Sequence, residues 1–264
     1  VTSRSAEFEA VAVEAARAGG EVLRERFSGR SRLSVTSKAR HDYVTEVDHA
    51  AEAAVVEVLR RRVPEHAILA EEGSRGAADS AYRWIVDPLD GTTNFIHGVP
   101  TFAVSIGLTD DDGLLAGSVF DPCRDEMFHA RRGGGAFLNG EPIACTLVGE
   151  LDTALIATGF PFRELDRLPA YLEAFERFVR ATSGLRRAGA ASLDLAYTAC
   201  GRYDGFFEIG LSPWDLAGGA MLVAEAGGRA TDVHGGPGFL KSGSIVAAGS
   251  RLHAAMLAIT KAVL

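Results

Sequence analysis

The stretch Trp84-Ile85-Val86-Asp87-Pro88-Leu89-Asp90-Gly91-Thr92-Thr93 decides how the chain is read. Tyr82 to Val86 is a short aromatic and β-branched run that reads as a buried strand and delivers the chain to Asp87. A second run, Ala67-Ile68-Leu69-Ala70, opens in the same way onto Glu71-Glu72-Gly73. Acids therefore fall just past two predicted strands, at the carboxyl ends where α/β folds place ligands. Asp87 and Asp90 converge on one point if the turn begun by Pro88 curls back. Converging carboxylates repel by about 4 kcal/mol per pair at about 4 Å and an effective dielectric near 20, so a cation is expected among them. Oxygen-only ligands select a hard cation, Mg²⁺ rather than Zn²⁺. Asp-Pro and Asp-Gly are also ordinary turn dipeptides, so this stretch alone leaves a loop and a metal site both open.

Upstream, residues 5–27 carry apolar positions with helical period (Phe8, Val11, Ala12, Ala15, Ala16, Val22, Leu23), ending near Ser28-Gly29. A second helix follows Thr45, a predicted N-cap with Asp48 three residues on, and stops at Val63-Pro64. Downstream, Phe102 to Leu108, Leu114 to Phe120 and Glu126 to Ala130 read as an antiparallel meander, with turns at Gly133 to Gly135 and Asn139-Gly140. The second half alternates: strands at Ala154 to Ala157, Gly205 to Ile209 and Ser244 to Ala248, and helices near 166–181, 190–200, 213–226 and 251–263. Ser212, Pro213 and Asp215 have the spacing of a capping box with proline at the first helical position, which is also the bland reading of Asp215. The pattern predicts a mixed α/β fold, its sheets covered by helices, in two halves, 1–145 and 146–264, forming one continuous unit.

The 264 residues are 47% hydrophobic and 23% charged, the composition of a globular protein with a sizeable core. A net charge of −8, with no basic run beyond Arg60-Arg61-Arg62, disfavours nucleic acid as a main partner. The same charge would repel a phosphate unless a bound cation reverses the local sign. Cys123, Cys145 and Cys200 form no CxxC pair, so neither a disulfide framework nor a zinc site is expected. No apolar run reaches membrane-spanning length and no basic-then-apolar leader stands at the start, so a cytoplasmic protein is expected. Neither a Gly-x-Ser-x-Gly elbow nor a Cys-His signature offers a nucleophile.

Trp84 to Phe95 resembles the signature of the inositol monophosphatase family. Ala70-Glu71-Glu72 matches the family's acidic pair, and Pro213-Trp214-Asp215-Leu216-Ala217-Gly218 its second signature, followed by Ala224 to Gly228. Lys38 with Asp42 to Asp48 resembles the early family segment, with slightly altered spacing after the lysine. The resemblance spans nearly the whole chain in the right order. It implies a layered αβαβα sugar-phosphatase fold, lithium sensitivity, a homodimer and a small phosphorylated polyol or sugar as substrate. It further implies that Glu71, Asp87, Asp90, Asp215 and the Leu89 carbonyl hold two or three Mg²⁺ ions. Thr92 with Glu71 would position and deprotonate a metal-bound water for in-line attack, Asp90 belonging to the same catalytic set. The amides of Gly91 and Thr92 would donate to phosphate, with Asp90 and Asp215 beside it. Gly189-Ala190-Ala191, Glu208 and Arg186 would meet the alcohol portion, although Glu208 also reads as a solvated strand-end charge and Arg186 or Arg187 as an interface residue. His97, shared with the family segment, is given a structural role, and the other histidines show no ligand spacing.

The substrate expected from the resemblance is myo-inositol monophosphate. Fructose 1,6-bisphosphate is the main rival, with histidinol phosphate and nucleotide 3′-phosphates behind it; relatives acting on the last commonly have Lys where this chain has Thr93. From another class, the alternative is a regulatory binding protein keeping the fold, since some members of the family it resembles also contact the transcription machinery. Such a binder would be expected to have lost metal ligands, and here every expected one is present.

Overall fold

The computed structural model describes residues 2–28, 35–39, 42–73, 80–162 and 164–264. Helix α1 (Thr2–Ser28) leads to a hairpin, β1 (Val35–Ala39) and β2 (Asp42–Thr45), and then to α2 (Glu46–Arg62). Gly29, the predicted end of α1, and the side chain of Thr45, read as the cap of α2, lie outside what is described. Strands β3 (Ala67–Ala70) and β4 (Arg83–Asp90) are followed by the short helix α3 (Thr92–His97). The meander then runs through β5 (Ala103–Asp110), β6 (Gly113–Asp121), β7 (Glu126–Arg131), β8 (Gly135–Leu138) and β9 (Glu141–Ile143). These seven strands lie in sequence order from β3 to β9, only the first pair being parallel. Asn139 and Gly140, both at positive φ, make the tight turn between β8 and β9.

The second half supplies β10 (Leu155–Thr158), α4 (Leu168–Ala181), β11 (Gly184–Arg186), α5 (Ala191–Ala199), β12 (Gly205–Ile209), α6 (Pro213–Glu225), β13 (Gly228–Thr231), α7 (Phe239–Ser242), β14 (Ser244–Gly249) and α8 (His253–Lys261). Its five-stranded sheet has the order β11-β10-β12-β14-β13, parallel over the first three strands and antiparallel beyond. Strands β11 and β13, three and four residues long, have no counterpart in the sequence reading. They are too short to show a period.

Packing makes the layers explicit. Helices α1 and α2 cover one face of the seven-stranded sheet around Trp84, Phe95, Phe102 and Phe120. Helices α5 and α6 lie between the sheets, burying Leu193, Phe206, Met221 and Leu222. Tyr171 and Phe178 of α4 and Met256 of α8 close the far face of the second sheet on Phe207. The result is the αβαβα sandwich that the resemblance implies. Helix α6 approaches the first sheet closely: a Cβ on Gly107 would fall 2.4 Å from that of Ala217, so only glycine allows the contact. Ser105 Oγ donates to the carbonyl of Trp214 at 3.2 Å and fixes the start of this helix over β5. Among the described residues no helix is long and apolar enough to cross a membrane.

Candidate metal centre

Strand β4 runs farther than the sequence reading has it, through Asp90 instead of ending at Val86, so Asp87 lies within the strand. Asp87 pairs with Ser105 and Asp90 with Ala103, three steps on β4 against two on β5. The extra residue is a bulge at Pro88-Leu89, where a proline without an N–H costs the ladder nothing. Residues three apart on a regular strand face opposite sides; the bulge returns Asp90 to the side of Asp87. The Leu89 amide donates to Asp87 Oδ1 at 3.0 Å and steadies the bulge. Gly91 then turns the chain into α3 at φ 91°, where a Cβ would meet the Thr101 carbonyl at 2.9 Å.

The third acid arrives from α6. Its Asp215 accepts the Ser212 N–H at 2.7 Å, so the capping role and a place in the site coexist in one side chain. Asp87, Asp90 and Asp215 each offer a carboxylate oxygen within 4.8 Å of the others. Asp87 and Asp90 are 1% and 8% exposed. Burial, then the charges of Glu71, Asp90 and Asp215, holds the Asp87 carboxyl well above the ordinary range. Burial and Asp215 push Asp90 up to about 7, against the lowering effect of hydrogen bonds from Ser192 and Ala191. Buried acids so disposed suit a divalent cation, and their all-oxygen donor set suits a hard one.

A cleft of about 390 Å³ opens over these acids, with Glu71, Leu89, Gly91 and Thr92 in its walls. Glu71 stands outside the trio, on the wall beside Asp87. Thr92 Oγ1 lies 3.0 Å from the Leu89 carbonyl and 3.2 Å from Asp48 Oδ1, so its one proton serves these two acceptors. His97, assigned a structural role from sequence, also borders the cleft. A second cavity of about 150 Å³ adjoins the first and is lined by Ala191, Glu208 and Gly210. Gly189 borders both. Gly159 leaves the space taken by the Glu208 carboxylate: a Cβ there would lie 2.0 Å from Oε1. Ala190 is buried in the core between the sheets and lines neither cavity.

Arg186 also lines neither cavity; it ends β11, exposed, with Nη1 on the Leu185 carbonyl. Its neighbour Arg187 borders both, its guanidinium 5.5 Å from the Phe160 ring centroid and 5.4 Å from that of Phe162. Successive side chains of an extended segment point apart, so only one of the pair can face the site. Ser192, which binds Asp90, carries no signal in the sequence, and Asp48 stands out there only as a helix-capping residue and as the end of the early family segment. Asn94, quoted only within the signature, ties α3 to the loop before α5 through the Ala188 carbonyl at 2.9 Å. Asp194 is 1% exposed, its Oδ1 without a hydrogen-bond partner among the described residues, and burial keeps it protonated well above the usual range. Nothing in its sequence surroundings marks it.

The layers and the carboxylate cluster together define the sugar-phosphatase class of α/β fold. A sequence model of the inositol monophosphatase family matches residues 4–264. The Nus factor SuhB of Pseudomonas aeruginosa is 50% identical over 252 residues, covering 94% of this chain and 93% of that protein. Among solved structures, the extragenic suppressor protein SuhB of Bartonella henselae superposes with a TM-score of 0.91 at 40% identity, covering 95% of this chain and 97% of its own. An inositol monophosphatase from Anabaena gives 0.86 at 39% identity, covering 97% and 96%. The chain belongs to the inositol monophosphatase family.

Proposed function

We propose that the chain hydrolyses a small phosphate monoester with Mg²⁺, acting on myo-inositol monophosphate, with fructose 1,6-bisphosphate as the alternative. The observation that carries this reading is the convergence of Asp87, Asp90 and Asp215 on one point beneath an open cleft. These three, with Glu71 and the Leu89 carbonyl, would hold the cation. When bound, it supplies the positive charge that admits a phosphate to an acidic cleft and makes water a stronger acid.

The chain's own groups supply the rest. With its proton directed to Leu89 and Asp48, Thr92 Oγ1 keeps lone pairs that accept from a water and aim it. Glu71, on the same wall, takes that water's proton. The amides of Gly91 and Thr92 border the cleft for the phosphate oxygens. Glu208 accepts from hydroxyls of the alcohol portion in the adjoining cavity, beside Gly189 and Ala191. There Arg187 takes the place first given to Arg186. A homodimer belongs to the same reading, supported by exposed Leu165, Leu172 and Val179 on and just before α4.

The test is phosphate release with Mg²⁺ from inositol 1-phosphate, fructose 1,6-bisphosphate, adenosine 3′,5′-bisphosphate and histidinol phosphate. Inositol 1-phosphate is expected to turn over fastest, and release from none of the four would end the enzyme reading. A second reading has one specific support: relatives at 43–50% identity are named Nus factor SuhB. On it the chain also serves as a Nus factor in contact with a transcription protein or nucleic acid, against the expectation from the acidic net charge that nucleic acid is not a main partner. Retention of transcription proteins by immobilised Asp90→Asn chain, as by wild type, would separate that role from catalysis; retention by neither would remove it.

A further inference from the structure

Helix α5 starts without a capping side chain of its own. Its N-cap is Ala190, which has no side-chain oxygen to meet the first-turn amides. The missing acceptor is Asp90, 102 residues earlier in the chain: its Oδ2 accepts the Ser192 N–H at 2.7 Å and the Ser192 hydroxyl at 2.5 Å. The Ala191 amide adds a further bond to the same carboxylate. Ser192 is fully buried, and so is the bond. Two donors on one oxygen, backed by the positive end of a helix, stop the Asp90 carboxylate from rotating. They thereby determine how it is presented to Asp87 and Asp215.

We propose that Ser192 is a positioning residue of the metal centre: its hydroxyl holds the Asp90 carboxylate in the orientation in which it meets the cation. The inference rests on the metal-dependent reading above. Ser192 is fully buried and lines neither cavity, so it offers a substrate no surface. Its backbone N–H, which caps α5 against Asp90, survives substitution, so Ser192→Ala keeps the helix start and loses only the hydroxyl.

The experiment is calorimetric titration of Mn²⁺ into the full, metal-free wild-type chain and into Ser192→Ala, both well below their melting midpoints. Partners that orient metal ligands typically account for roughly 10–100-fold in affinity, and a loss of that size is expected for the variant. At saturating metal its KM for the ester should equal that of wild type, since the substrate contacts are intact. Equal Mn²⁺ affinity in the two proteins would overturn the assignment, whatever the melting midpoints do. So would a changed KM with unchanged metal affinity, which would move Ser192 to the substrate side. A wild-type chain that takes up no Mn²⁺ would overturn the metal-dependent reading and this inference together, which distinguishes the two failures.

Discussion

Asp87 and Asp90 are held in a place where the proton costs less than the charge. Unfolded, such a carboxyl titrates near 3.9. Folded and without metal, Asp90 titrates at about 7, and Asp87 is raised in the same sense by burial and by its acidic neighbours. Between these values the folded chain binds more protons than the unfolded one, so these groups lower stability as pH rises from about 4 to about 7. His66 and His253, buried as neutral imidazoles, act oppositely below their usual range, so wild type alone does not isolate the carboxylates. Asp90→Asn does. In EDTA, it is expected to melt above wild type at pH 8, with the gap closing toward pH 5, as scanning calorimetry at both pH values would show. Adding Mg²⁺ at pH 8 should raise wild type more than the variant. A variant that melts below wild type at pH 8 in EDTA would mean that the acids are not in mutual conflict.

At the scale of elements, the site depends on how closely α6 approaches β5 and β6. Gly107 and Gly117 leave no side chain between sheet and helix, and the helix start carries Asp215. Gly107→Ala would put a methyl group 2.4 Å from the Ala217 Cβ. Overpacking of this kind costs about 1–3 kcal/mol, or about 2–4 °C in melting midpoint for each kcal/mol in a chain of this size. Because relief moves α6, activity should fall with stability; a melting curve and turnover both unchanged would contradict the packing. The elements themselves were largely readable in advance. Strands β3 and β12 fall where their apolar runs place them, and Pro213 with Ser212 announces α6. The bulge in β4 was not readable, because it is defined by pairing with Ser105 and Ala103, some fifteen residues away. The choice between Arg186 and Arg187 likewise depends on which way a short strand turns its side chains, and two adjacent arginines carry no sign of it. Ser192 and Asp194 escaped notice because their meaning lies across the fold, in a hydrogen bond to Asp90 for the one and in burial near the charge of Glu208 for the other.

For the molecule as a whole, the two sheets and the helices between them bring Glu71, Asp87, Asp90 and Thr92 of the first half and Gly189, Glu208 and Asp215 of the second to two adjoining cavities. The acids that motif spacing singled out come from β4 and α6, which no local pattern would join. Family membership accounts for their shared presence, and the packing of α5 and α6 between the sheets for their meeting. The adjoining cavity is lined by Glu208, Arg187 and Gly189, and on the proposed reading it is where substrates would be told apart. The proposal that this cluster is a divalent-cation site for ester hydrolysis is tested most directly by phosphate release from inositol 1-phosphate by wild type and Asp90→Asn, each with Mg²⁺ and with EDTA. Release is expected from wild type with Mg²⁺ only, with a loss of at least about a hundredfold in the variant while its melting curve stays cooperative, as for removal of a charge stabiliser at a reacting centre. Release by wild type in EDTA, or Mg²⁺-dependent release by Asp90→Asn at the wild-type rate, would contradict it.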